Sequence, residues 1–145
     1  MSDEEELARR CAEAMWANDR ASQALGMRIE SVGPGRATLT MPVTELMING
    51  HDICHGGYIV MLADSAFAFA CNTYNRVTVA QTIDVTFLAP VRAGDLLRAE
   101  AVERARRGRS GIYDVTVTRV GADGEPDEVV AEFRGRSRTL AGSLV

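Results

Sequence analysis

Apolar and polar positions change rhythm several times along the chain, and each change marks an element. Residues 3 to about 17 carry Leu7, Cys11, Ala14 and Met15 at helical spacing, behind a run of acids that suits the positive end of a helix dipole. That spacing predicts a surface helix packed on the rest of the domain. From Gly26 the rhythm becomes extended. Gly33-Pro34-Gly35 predicts a tight turn between two strands, the second of which, Ala37-Thr38-Leu39-Thr40-Met41, alternates apolar and hydroxyl residues as a half-buried strand does. Residues 49–57 read as a loop. Residues 58–71 are apolar nearly all the way round and free of proline, which predicts a helix buried on every side. Four runs of strand composition follow, at 77–88, 96–104, 112–120 and 129–137. Their separators, 90–94, 106–108 and 121–126, carry turn chemistry. Sequential antiparallel strands after a lone helix predict a sheet wrapped around that helix. The expected fold class is α+β: one domain over residues 1–145, with residues 1–25 as a helical extension.

Composition narrows the function classes. The chain has 145 residues, 46% apolar and 25% charged, close to the average for a globular domain. No apolar run reaches the ~20 residues that span a bilayer, and the acidic N-terminus is unlike a secretory signal, so the expected setting is cytoplasmic with no membrane association. Three cysteines without CxxC spacing fit a reducing compartment. A net charge of -4 argues against a nucleic-acid partner, while leaving room for a local arginine cluster that binds an anionic ligand.

The chemistry concentrates in the 58–71 segment. Asp64 is its one ionisable carboxylate, set among Val60, Met61, Phe67 and Ala68 at helical spacing. A desolvated carboxylate is costly, and its raised pKa suits a general base near neutrality. On residues alone, a capping or bridging role for Asp64 stands beside the catalytic one. Gly56-Gly57 precede the helix, where free N–H groups and the dipole can hold an oxyanion and glycines let a ligand approach closely. His51, Cys54 and His55 lack regular metal-ligand spacing, so no metal is expected, and His55 reads as a loop anchor. Arg104, Arg106, Arg107 and Arg109 form either a phosphate-binding turn or a solvated one. Arg134, Arg136 and Arg138 alternate and would share one face of the last strand.

The stretch Asn49-Gly50-His51, His55-Gly56-Gly57-Tyr58 and Leu62-Ala63-Asp64-Ser65-Ala66-Phe67-Ala68 resembles the signature of PaaI-type hotdog thioesterases. The likeness continues through Cys71-Asn72, Phe87-Leu88-Ala89-Pro90, Ala93-Gly94-Asp95, Gly111-Ile112-Tyr113-Asp114 and Phe133-Arg134-Gly135. This resemblance implies a hotdog fold and a homodimer or homotetramer. It also implies hydrolysis of acyl-CoA thioesters, with phenylacetyl-type or related aryl-acyl groups leading and phenylacetate degradation as the context. CoA is then part of the substrate, and no cofactor is required. Asp64 matches the general base or nucleophile, Gly56 the backbone donor to the thioester oxygen, and Asn49 the residue that orients water and thioester. Ser65 takes a supporting role and Thr82 places water from the facing strand. His55, Gly57, Arg106, Arg107 and Arg109 are the expected substrate contacts. Two rivals remain: a hydroxyacyl-thioester dehydratase, which wants a histidine paired with the acid, and a non-catalytic acyl-CoA sensor. Gly56 and Asp64 are eight residues apart, roughly 12 Å along a helix, so one helix does not easily serve one carbonyl with both. Sites shared across a two-fold dimer are therefore expected.

Overall fold

The computed structural model describes all 145 residues. Helix α1 spans Asp3–Asn18, α2 Arg20–Ala24, and α3 Gly56–Cys71. The strands are β1 Arg28–Gly33, β2 Arg36–Pro42, β3 Thr78–Phe87, β4 Leu96–Arg107, β5 Ser110–Arg119 and β6 Glu128–Thr139. They form one sheet in the order β1-β2-β4-β5-β6-β3, antiparallel throughout. The sheet curls around α3 as the hotdog resemblance implies. No helix is long and apolar enough to cross a membrane.

Helix α1 starts where its sequence says it should. The Ser2 hydroxyl accepts from the Glu5 N–H while the Glu5 carboxylate accepts from the Ser2 N–H, a reciprocal cap that satisfies two otherwise orphaned donors. The helix packs on β1 through Ala8, Cys11 and Ala12. Of the stripe expected to face inward, only Cys11 is fully buried. Leu7, Ala14 and Met15 are half-buried, and Met15 packs against the core beside Ala12.

Helix α3 is fastened at two places. The first is Phe67, fully buried among Tyr113 and Phe133 at ring separations of 5.6 and 5.8 Å. A Cβ at Gly135 of β6 would lie 2.6 Å from the Phe67 ring, so the missing side chain is what lets this ring seat against the sheet. The second is Asn72 at the helix C-terminus. Its amide donates to the carbonyls of Ala68 and Thr78, and its oxygen accepts the Thr78 N–H, all at 2.9 Å. One side chain thus closes the helix and starts β3, which returns antiparallel to the helix.

Two expectations need correction. Helix α3 is not buried on every side: Val60, Met61, Asp64 and Ala68 form a half-buried stripe. Apolarity all round the helix gave no sign of this gap, because β3 is the last strand of the sheet and leaves that flank uncovered. The arginine segment is also not a broad turn. Strand β4 continues to Arg107, which pairs with Ser110, and only Gly108 (φ 60°) and Arg109 form the connection. Arg104, Arg106 and Arg107 are strand residues. The alternating burial of β6 does place Arg134, Arg136 and Arg138 on one outer face, opposite buried Phe133, Gly135 and Ser137.

Candidate active site

The loop leading into α3 is held from both sides. The Cys54 N–H donates to Val91 O and the His55 N–H to Met47 O, each at 2.7 Å. Asn49 closes the loop on itself: its Oδ1 accepts the N–H groups of His51 at 2.9 Å and Ile53 at 3.4 Å. Its Nδ2 therefore remains as a donor without an internal partner. His55 caps the helix, with Nδ1 accepting the Gly57 N–H at 3.0 Å and its carbonyl accepting the Tyr58 N–H at 3.0 Å. The Gly56 N–H takes part in no hydrogen bond within the chain. The helix N-terminus thus offers one free backbone donor at its first residue, aligned with the positive end of the dipole.

Two turns further along, Asp64 lines an open depression of about 420 Å³ with Gly57, Val60, Met61 and residues 80–83 of β3. It is half-buried, which corrects the expectation of a buried acid. Partial burial still pushes its carboxyl pKa upward, and no charge or hydrogen bond opposes that shift. A carboxylate so placed is free to accept a proton from water or attack a carbonyl. Adjoining it, with Gly57 and Met61 common to both, lies a second, mainly apolar depression of about 660 Å³, walled by Ala21 and Ala24 of α2, Leu25 just beyond it, His55 and Tyr58.

The other expected residues lie in varied places. The Ser65 hydroxyl is buried and bonded to the Ser22 hydroxyl at 2.9 Å, which in turn donates to Asp19 at 2.7 Å. This relay ties α2 to α3 immediately beside Asp64. Thr82 borders the Asp64 depression, but its strand register pairs it with Arg136 of the outer face, while Ile83 pairs with Gly135 beneath Phe67. Arg106 lies over the Tyr74 ring at 3.6 Å and pairs with Glu103 at 3.5 Å, beyond the C-terminal end of α3. Arg107 and Arg109 are exposed at the β4–β5 hairpin. Arg104 and Arg134 both bind Asp114, holding its carboxyl pKa down to about 2. No cluster of three or more His, Cys, Asp or Glu side chains could hold a metal ion.

Two residues near the site were not singled out from the sequence. Ser22 had a readable signal, since Asp19 three positions before it is an N-cap pattern. Phe87 enters the sequence reading only within the Phe87-Leu88-Ala89-Pro90 likeness, and its contact with Gly56 left no signal because it joins residues 31 positions apart.

Residues 51–123 match the Thioesterase superfamily. The chain is 41% identical over 133 residues to acyl-coenzyme A thioesterase PaaI of Escherichia coli, covering 92% of this chain and 91% of that protein. The structure of the E. coli PaaI protein from the phenylacetic acid degradation operon superposes with a TM-score of 0.89 at 40% identity, over 96% of this chain and 97% of that one. A point mutant of the phenylacetic acid degradation protein PaaI from Thermus thermophilus gives a TM-score of 0.77 at 34% identity, over 84% of this chain and 100% of that one. With the capped glycine helix and its open acid in the same frame, the chain belongs to the PaaI-type acyl-CoA thioesterases of the hotdog fold.

Proposed function

We propose that the protein hydrolyses aryl-acyl-CoA thioesters, phenylacetyl-type esters foremost, to the free acid and CoA, in phenylacetate degradation. The observation that carries this reading is one helix bearing two unsatisfied groups of opposite character: the Gly56 N–H and the Asp64 carboxylate. The N–H takes the thioester oxygen and stabilises the charge that builds there as the carbonyl is attacked. Asp64 acts as general base on water or as the nucleophile itself. Asn49, with its amide nitrogen free, orients the thioester and the attacking water. The depression walled by Ala21, Ala24 and Leu25 suits an aryl group, because it is apolar and its small side chains leave volume beside the helix N-terminus.

The two groups serve one carbonyl across a two-fold dimer, each site taking Asn49 and Gly56 from one subunit and Asp64 from the other. Their separation supports this, as does the β3 edge, whose Val79 and Ile83 side chains are 43% and 44% exposed. An apolar edge strand of this kind invites pairing with another copy. A tetramer is then a pair of such dimers. The dehydratase reading is weaker, since His55 is engaged by Gly57 rather than by the acid.

Free-thiol release from a panel of acyl-CoAs, followed together with enoyl absorbance, tests the reaction. Aryl-acetyl esters should turn over fastest with no enoyl product; enoyl formation without thiol release would sink the hydrolase reading. Refolding Asp64→Asn and Asn49→Ala chains together tests the sharing. Mixed dimers should regain one intact site, whereas verified heterodimers with no recovered activity would place both groups in the same chain.

A further inference from the structure

Gly56 is flanked by an aromatic ring that occupies the place of its missing side chain. A Cβ at Gly56 would lie 2.8 Å from Phe87 Cζ, 3.2 Å from Cε1 and 3.4 Å from Cε2, so the ring meets this glycine tip first. Phe87 is the last residue of β3, paired with Ala131 of β6. The chain just beyond it is fixed by the Leu88 and Ala89 N–H groups, which both donate to Val130 O at 2.8 and 3.3 Å. The ring therefore springs from an anchored strand end and reaches across to the first residue of α3. It is 51% exposed in the single chain, so this chain's own core is not what dictates an aromatic residue here. His55 holds the helix entry from the other side through the Gly57 N–H.

We propose that Phe87 is a positioning residue for the oxyanion donor. The tip of its ring braces the residue-56 backbone and so sets the direction of the one free N–H at the helix start. Position 56 is glycine because the ring leaves no room for a β-carbon, rather than because the ligand needs the space. This inference rests on the reading of the Gly56 N–H as the donor to the thioester oxygen. The two causes separate cleanly, because alanine keeps its backbone N–H and adds only the β-carbon.

The test is a double-substitution cycle read by free-thiol release, with kcat and KM resolved and the association state of each variant checked. In the native background Gly56→Ala should lower kcat on the order of 10²-fold, as losing an oxyanion donor does, with a smaller change in KM. In a Phe87→Ala background, where the ring is gone, adding Gly56→Ala should cost less than about 3-fold. If Phe87→Ala alters association, Phe87→Leu supplies the relieved background instead. Phe87→Tyr gives a second, independent readout. Its hydroxyl is carried on Cζ, the atom nearest Gly56, so it should depress kcat more than Phe87→Leu does, inverting the usual order of conservative change. Equal costs of Gly56→Ala in both backgrounds, or no cost in the native one, would overturn the proposal. So would a Phe87→Tyr enzyme with native kcat. Asp64→Asn is assayed alongside: undiminished turnover there would instead undo the underlying site reading, which is a distinguishable failure.

Discussion

The two ends of α3 treat their polar groups in opposite ways. Just beyond its C-terminus, Asn72, Thr73 and Tyr74 are all committed. Asn72 makes three hydrogen bonds at 2.9 Å. The Thr73 hydroxyl accepts from Gly35 at 2.8 Å and donates to Ala70 at 3.0 Å. Tyr74 and Tyr113 both donate to one oxygen of Glu103, at 2.9 and 3.0 Å. The N-terminal half keeps the Gly56 N–H, the Asn49 amide nitrogen and the Asp64 carboxylate without internal partners. Saturated groups fix the frame, and unsaturated ones beside it are available to a ligand. Substitutions at the committed end should therefore cost stability, and those at the open end should cost turnover.

The sharpest break should come from Asp64→Asn, expected to lower thioester hydrolysis by about 10² to 10⁴-fold while substrate still binds. Native turnover in a sequence-verified variant would remove Asp64 from the chemistry. The same variant also tests stability. Because burial raises the Asp64 pKa, the folded state holds that proton more tightly than the unfolded chain. Ionising Asp64 therefore weakens the fold, and Asn should stabilise it at neutral pH. That gain should shrink as pH falls through the raised pKa toward the ordinary aspartate value, where both states of the native protein are protonated. A pH-independent difference in unfolding midpoint would contradict this linkage.

At the committed end, Asn72→Ala should cost about 2–3 kcal/mol in denaturant unfolding, since it strands buried partners in both α3 and β3. Activity per folded molecule should fall far less than stability does. Asn49→Ala should lower turnover about 10-fold, the loss of one orienting hydrogen bond. A drop as deep as that of Asp64→Asn would mean that Asn49 ranks with the acid. The smallest effect belongs to Ser65→Ala, about 1 kcal/mol of stability from the severed Ser22 contact. A large fall in kcat with native stability would instead give Ser65 a direct part in the reaction.

Much of this frame was legible in the sequence because its signals are local. The Gly33-Pro34-Gly35 turn, the proline-free apolar run of α3 and the alternation of β6 each report on neighbours a few residues away. Helix α2 was harder to see, being only five residues long. The arginine segment misled because polar composition looks like loop, whereas a two-residue connection needs only Gly108 with positive φ. The open flank of α3 could not be read, since hydropathy records how apolar a position is and not which element covers it. Among the proposed site residues, the motif around Asp64 and Gly56 pointed to helix α3, where both groups are found without internal partners. The contacts that decide what each group is free to do, Ser65 with Ser22 and Phe87 with Gly56, join distant segments and leave no periodic trace.

The seating of Phe67 against Gly135 has a consequence for how this enzyme can change over time. A β-carbon at 135 would lie 2.6 Å from the ring, so Gly135 can change only if Phe67 shifts or changes with it. Gly135 has no counterpart in the depressions beside α3, where Val60 and Gln81 line one, Ala21 and Ala24 the other, and Met61 both. Substitutions at these lining positions can therefore reshape the depressions one at a time without disturbing the seat of α3 against the sheet.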